Sequence, residues 1–107
     1  MKINFNTEEG QAIFTTPIIE DKLDCIIVSC NSELPISIII RSQLGYEILQ
    51  VRSHKGVKYY APRAIEQGPI AKLINQDQFC KFNLNEPLDI IISGPKNVDV
   101  EMWLRFS

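Results

Sequence analysis

The segment from Val98 to Phe106 alternates without a lapse. Val98, Val100, Met102, Leu104 and Phe106 fall on one side, and Asp99, Glu101, Trp103 and Arg105 on the other. Successive side chains of an extended chain point to opposite faces, so this pattern predicts an antiparallel strand with one face in a core and one toward solvent. Val98, Val100, Met102 and Leu104 are expected to be buried together, with Asp99 and Glu101 exposed.

Such a strand needs partners, and the rest of the chain offers them. Lys2–Asn6, Ala12–Thr15, Lys22–Cys30, Ile36–Arg41, Tyr46–Arg52, Val57–Ala61, Gln78–Leu84 and Leu88–Ser93 are short, rich in β-branched or aromatic residues, and bounded by turn formers. Thr7–Gly10, Glu20–Asp21, Asn31–Glu33, Asn85–Pro87 and Gly94–Asn97 read as turns, Pro17 as a bend, and Ser53–Gly56 as the loop of a hairpin. The run Cys25–Val28 has no polar residue, which predicts a strand covered on both faces or crossing the middle of a sandwich. In the irregular stretch 62–77, Pro69–Ile74 reads as one helical turn (near residues 69–75), because proline suits the first helical position and Ile70, Leu73 and Ile74 share a face.

About eight or nine strands at this spacing predict an all-β fold, a single antiparallel β-sandwich of immunoglobulin-like or jelly-roll topology. The chain has 107 residues, enough for one domain spanning 1–107. A domain of this size buries only about 60–70% of its unfolded surface, so most apolar residues are committed to the fold and few remain to build a deep pocket. No apolar run approaches the length of a membrane helix, and the polar alternation of Met1–Asn6 is not that of a signal peptide.

Residue types that carry chemistry are sparse. The one histidine, His54, has no nucleophile or carboxylate beside it in sequence and reads as a plain loop residue. Cys25, Cys30 and Cys80 lack the paired spacing of metal ligands. Five residues apart on one strand, Cys25 and Cys30 point to opposite faces, so all three thiols are expected to stay free in a cytoplasmic setting. Asp99 and Glu101 share a face, but acids alternating on a strand are ordinary solvated surface. No nucleophile elbow, zinc motif or phosphate loop occurs, and Pro95 spoils Ser93–Lys96 as an anion loop by removing a backbone donor. No catalytic, metal or cofactor residue is assigned.

Charge and aromatics point instead to contact with other molecules. Residues 1–40 carry two lysines and six acids, whereas residues 41–63 carry Arg41, Arg52, Lys55, Lys58 and Arg63 against Glu47 alone. The basic segment, with Tyr46, Tyr59 and Tyr60, has the ingredients of a single-strand nucleic-acid binder. The acidic whole, with a net charge of −2, argues against that partner. The two segments complement each other, which favours contact between copies. Trp103 falls on the polar face, with Arg105 two residues along, and these are interface-anchoring types. Of the adjacent Tyr59 and Tyr60, a regular strand turns one outward. The expected interface residues are therefore Trp103, Arg105, Tyr59, Tyr60, Arg52 and Lys55.

These features lead to an expected function: a non-enzymatic structural or assembly protein, a homo-oligomer that touches other protein subunits. The specific expectation is a small virion component of a tailed phage, a capsid-decoration or head–tail connector subunit, assembled in the host cytoplasm. The alternative is a ligand-binding β-sandwich module for carbohydrate or a short peptide.

Overall fold

The first half of the chain pairs with the second half in reverse order. The computed structural model describes residues 1–66 and 78–107, and these form eleven strands: β1 (Lys2–Asn6), β2 (Gln11–Thr15), β3 (Ile19–Cys30), β4 (Ile36–Ser42), β5 (Glu47–His54), β6 (Val57–Tyr60), β7 (Ala64–Glu66), β8 (Gln78–Cys80), β9 (Phe82–Glu86), β10 (Leu88–Ser93) and β11 (Asp99–Phe106). β1 pairs with β11, β2 with β10, β3 with β6 and β9, and β4 with β5, all antiparallel. The chain is thus one long ribbon with its tip at the β4–β5 turn. Rolling that ribbon brings β11 beside β3 and β10 beside β4.

Two packed sheets result. Sheet A runs β1–β11–β3 and ends in β6 and β9; sheet B runs β2–β10–β4–β5. In these sheets only β4 and β5 are both consecutive and paired; β6 and β9 lie in the same sheet, and every other connection crosses between layers. This is the strand order of a jelly roll, whereas an immunoglobulin sandwich keeps several consecutive strands in one sheet. The sequence left both topologies open.

β6 and β9 occupy a single lane. Ile26–Ser29 of β3 pair with β6, Ile19–Leu23 pair with β9, and β11 lies along the other edge. Residues 61–81, which include the β7–β8 pair, interrupt this lane opposite a bulge in β3. There Arg105 pairs with Cys25 and Phe106 with Leu23, leaving Asp24 as the extra residue. Asp24 fastens both roots of the interruption. Its carbonyl accepts a 2.8 Å hydrogen bond from Arg63, and its carboxylate lies 3.6 Å from Arg63 and 3.4 Å from Lys81.

The core lies between the sheets. Val98, Val100, Met102 and Leu104 are buried in it, Asp99 and Glu101 are exposed, and Cys30 is in the core while Cys25 is not, as the alternation predicts. Isoleucine supplies nine members of the core cluster. Its branched side chain loses little rotamer freedom on a pleated surface, which suits it to pack facing strands.

Four local expectations change. Ser53–Gly56 is not a hairpin loop: β5 belongs to sheet B and β6 to sheet A, so the segment is a crossover. Gly56 makes the corner at φ 63°, a left-handed conformation that costs glycine nothing. Glu20 and Asp21 are strand residues, because pairing with Asn85 and Leu84 satisfies their backbone while their side chains stay in solvent. Gln78–Leu84 divides at Lys81 into β8 and β9, and Glu86 belongs to β9, leaving Pro87 alone to turn the corner into β10. The helical turn expected near 69–75 lies outside the described residues.

Candidate interaction surface

One register row crosses the whole outer face of sheet A. Lys2 of β1 pairs with Trp103 of β11, Trp103 with Ile27 of β3, and Ile27 with Tyr59 of β6. Cross-strand partners point the same way, so the four side chains form a band about 14 Å across three strand spacings. Trp103 and Ile27 are half-buried in its middle, while Tyr59 is 62% exposed and Val57, one row over, is 70% exposed.

The band is shaped from its β1 end. The Lys2 ammonium sits 5.4 Å from the centre of the Trp103 ring, a cation–π distance, and 4.0 Å from the Glu101 carboxylate. The Met1 amine donates to the Leu104 carbonyl at 2.9 Å, and the Leu104 N–H donates to the Met1 carbonyl at 2.8 Å. These bonds extend the β1–β11 ladder and bring Met1 to the face. A shallow cavity of about 530 Å³ opens among Met1, Trp103, Ile27 and Val57, with Ser29 and Arg105 as its polar members. Arg105 is exposed and takes part in none of the ion pairs formed among the described residues.

Cys25 lies on the same side of β3, opposite Arg105, yet is only 2% exposed. Its sulfur beside the Tyr59 hydroxyl, with Asp24 behind, disfavours a phenolate and raises the Tyr59 pKa. Cys25, Cys30 and Cys80 are all free thiols.

Three of the six expected interface residues therefore come together: Trp103, Arg105 and Tyr59. The other three do not join them. Tyr60 points inward beside Ile26 and packs against the core. Arg52 is exposed on β5, the outer strand of sheet B, and Lys55 is exposed on the crossover. Lys2, Met1, Ile27 and Val57 are contributors that the sequence reading passed over. The apolar run Cys25–Val28 was the available signal for Ile27, since a strand with no polar face needs cover on both sides.

His54 is not a loop residue. It ends β5, is fully buried, and lies 2.6 Å by Nδ1 from the Tyr60 hydroxyl and 2.9 Å by Nε2 from the Gly56 carbonyl. A carbonyl only accepts, so Nε2 carries the proton and Nδ1 accepts from Tyr60. Burial, followed by the Lys58 charge, holds the imidazole pKa below its ordinary value. Every fully buried side-chain nitrogen and oxygen among the described residues has a partner, His54 included.

The acids of β11 are engaged on the surface. The Asp99 carboxylate accepts a 2.7 Å hydrogen bond from Asn6, and Glu101 faces Lys2. No cluster of three or more potential metal ligands occurs among the described residues. No helix there is long and apolar enough to cross a membrane. No protein-family model and no curated protein matches the chain.

Proposed function

We propose that this domain is a non-enzymatic assembly protein that binds other protein chains through the outer face of sheet A, in homo-oligomers and to neighbouring subunits. The observation that carries this reading is the Lys2–Trp103–Ile27–Tyr59 band. The core closes between the sheets without it, so its aromatic area serves no purpose in the interior. A tryptophan beside an arginine that forms no ion pair among the described residues supplies the residue types that dominate interface energetics. In its finer form, the proposal is a small virion component of a tailed phage, a capsid-decoration or head–tail connector subunit, assembled in the host cytoplasm. The jelly-roll strand order is common among capsid proteins, though fold alone does not fix function.

Sedimentation over a wide concentration range tests the assembly reading. Self-association is expected, and Trp103→Ala should weaken it while leaving the domain folded. A monomer at every concentration overturns the homo-oligomer. Capsid or tail genes beside this one support the virion setting, and metabolic genes remove it.

The cavity beside Trp103 favours a second reading, a binding module for carbohydrate or a short peptide. Its volume is within the range of small-ligand sites, and aromatic faces stack on sugar rings. Trp103 is the only tryptophan, so its fluorescence reports directly on this site. Saturable quenching or enhancement by an oligosaccharide, with no self-association, would place this reading first.

A further inference from the structure

The two open sides of the sandwich are closed by different chemistry. On one side, where β1 and β2 are the outer strands, Phe5 meets Phe14 edge to face with ring centres 6.2 Å apart. On the other, β5 faces β6 and β9, and two tyrosines reach across between the sheets. Tyr60 of β6 donates to His54 of β5 at 2.6 Å. Tyr46, just before β5, donates to the Glu86 carboxylate of β9, and its ring stacks on Phe82 with a 7° interplanar angle. His54 and Glu86 are both buried.

We propose that the β5/β6–β9 side is an acid-released seam: protonation of His54 and then of Glu86 loosens this side of the sandwich while the β1/β2 side stays closed. Protonated His54 would be a buried cation with its Gly56 bond kept but its Tyr60 bond reversed, since Nδ1 would become a donor. Among the described residues, the groups around it offer no counter-charge. Lys58 and Tyr60 come from β6; from β3, the Val28 backbone, like that of Gly56, favours the protonated ring but is outweighed by burial, and Cys30 contributes a backbone N–H, 3.0 Å from the same Gly56 carbonyl. β4 contributes Ile36, the register partner of His54. For Glu86, burial pushes the carboxyl up, but bonds from the Tyr46 hydroxyl, the Asn85 N–H and Ser42 outweigh it and hold it below its ordinary range.

The signs agree. Each folded-state pKa lies below its unfolded value, so each group binds more protons when unfolded, and acid favours opening. The contribution of neutral His54 is complete above its ordinary 6.5 and is lost as pH falls through the lower folded value. That of Glu86 is complete above 4.5 and begins to be lost only below it. Release therefore begins at the β5–β6 crossover.

The test uses the intact protein, whose single histidine makes its ring resonances unambiguous. An NMR titration should place the His54 pKa below 6.5. Amide hydrogen exchange, corrected for intrinsic rates, should be compared at about pH 7.5 and about pH 5. Protection in β5 and β6 should fall about tenfold or more at the lower pH, with β1 and β2 unchanged. His54→Gln keeps a donor for Gly56 without titrating and should erase the first step; if it does not fold, the wild-type titration and exchange map decide alone. A His54 pKa at or above the ordinary value, or equal loss of protection on both sides, overturns the proposal.

Discussion

The two outer faces of the sandwich each carry an apolar row, and only one of them looks unfinished. On sheet B the row is Ile13–Ile91–Ile39, ending at Gln50. Its side chains are aliphatic, and Ile91 and Ile39 half-bury one another. In the polar row beside it, Asp89 accepts from Thr15 at 2.8 Å and from Gln43 at 3.3 Å. On sheet A the row is aromatic at two of four positions, borders a cavity and stands beside Arg105, which has no ion partner among the described residues. An exposed apolar row is ordinary in a thin sandwich; concavity and aromatic rings are what distinguish a contact surface.

The largest expected effect concerns the support that both faces share. Leu104 is 1% exposed and borders the cavity from beneath. Leu104→Ala should cost roughly 2–5 kcal/mol in urea denaturation. A cost below about 1 kcal/mol would mean that the cavity floor is not part of the core. Next, the faces should separate in an association assay. Trp103→Ala should cost about 2 kcal/mol of self-association, near a thirtyfold loss, and Ile91→Ala almost nothing. Equal losses would erase the distinction between the faces.

Of the six residues picked from sequence, those on β11 could be placed by alternation, because period-2 patterning assigns a side chain to a face once the strand is known. That is also why β1, β10 and the buried set of β11 were legible. Alternation carries no information about which strand lies next door. Ser53–Gly56 has hairpin composition, yet β5 and β6 are in different sheets, and only the rolled ribbon makes that so. His54 was misread for the same reason: its partners, Tyr60 and Gly56, become neighbours only when the crossover folds back. Which of Tyr59 and Tyr60 faces outward depends on the register with Ile26 and Ile27, again a long-range fact.

Two smaller effects sharpen the contrast. Arg105→Glu should weaken association by about 1 kcal/mol and alter its salt dependence, while Arg41→Glu, in the polar row of sheet B, should leave both unchanged. Ile13 is 63% exposed at the edge of sheet B, so Ile13→Ser should change stability by no more than about 0.5 kcal/mol and association not at all. A marked loss of association with Ile13→Ser would move the contact surface to the other face.

The lane shared by β6 and β9 has a consequence for how this gene could vary. Tyr60 and Phe82 sit three β3 positions apart, opposite Ile26 and Leu23, so the residues between them leave and re-enter the sheet almost at one point. Closing a loop across so small a gap costs little, and that cost grows only slowly with length. The segment from 61 to 81 is therefore the natural port of this domain. Chain can be lengthened, trimmed or exchanged for a reporter there while the eight lanes around it keep their registers, with Asp24 marking the doorway on either side.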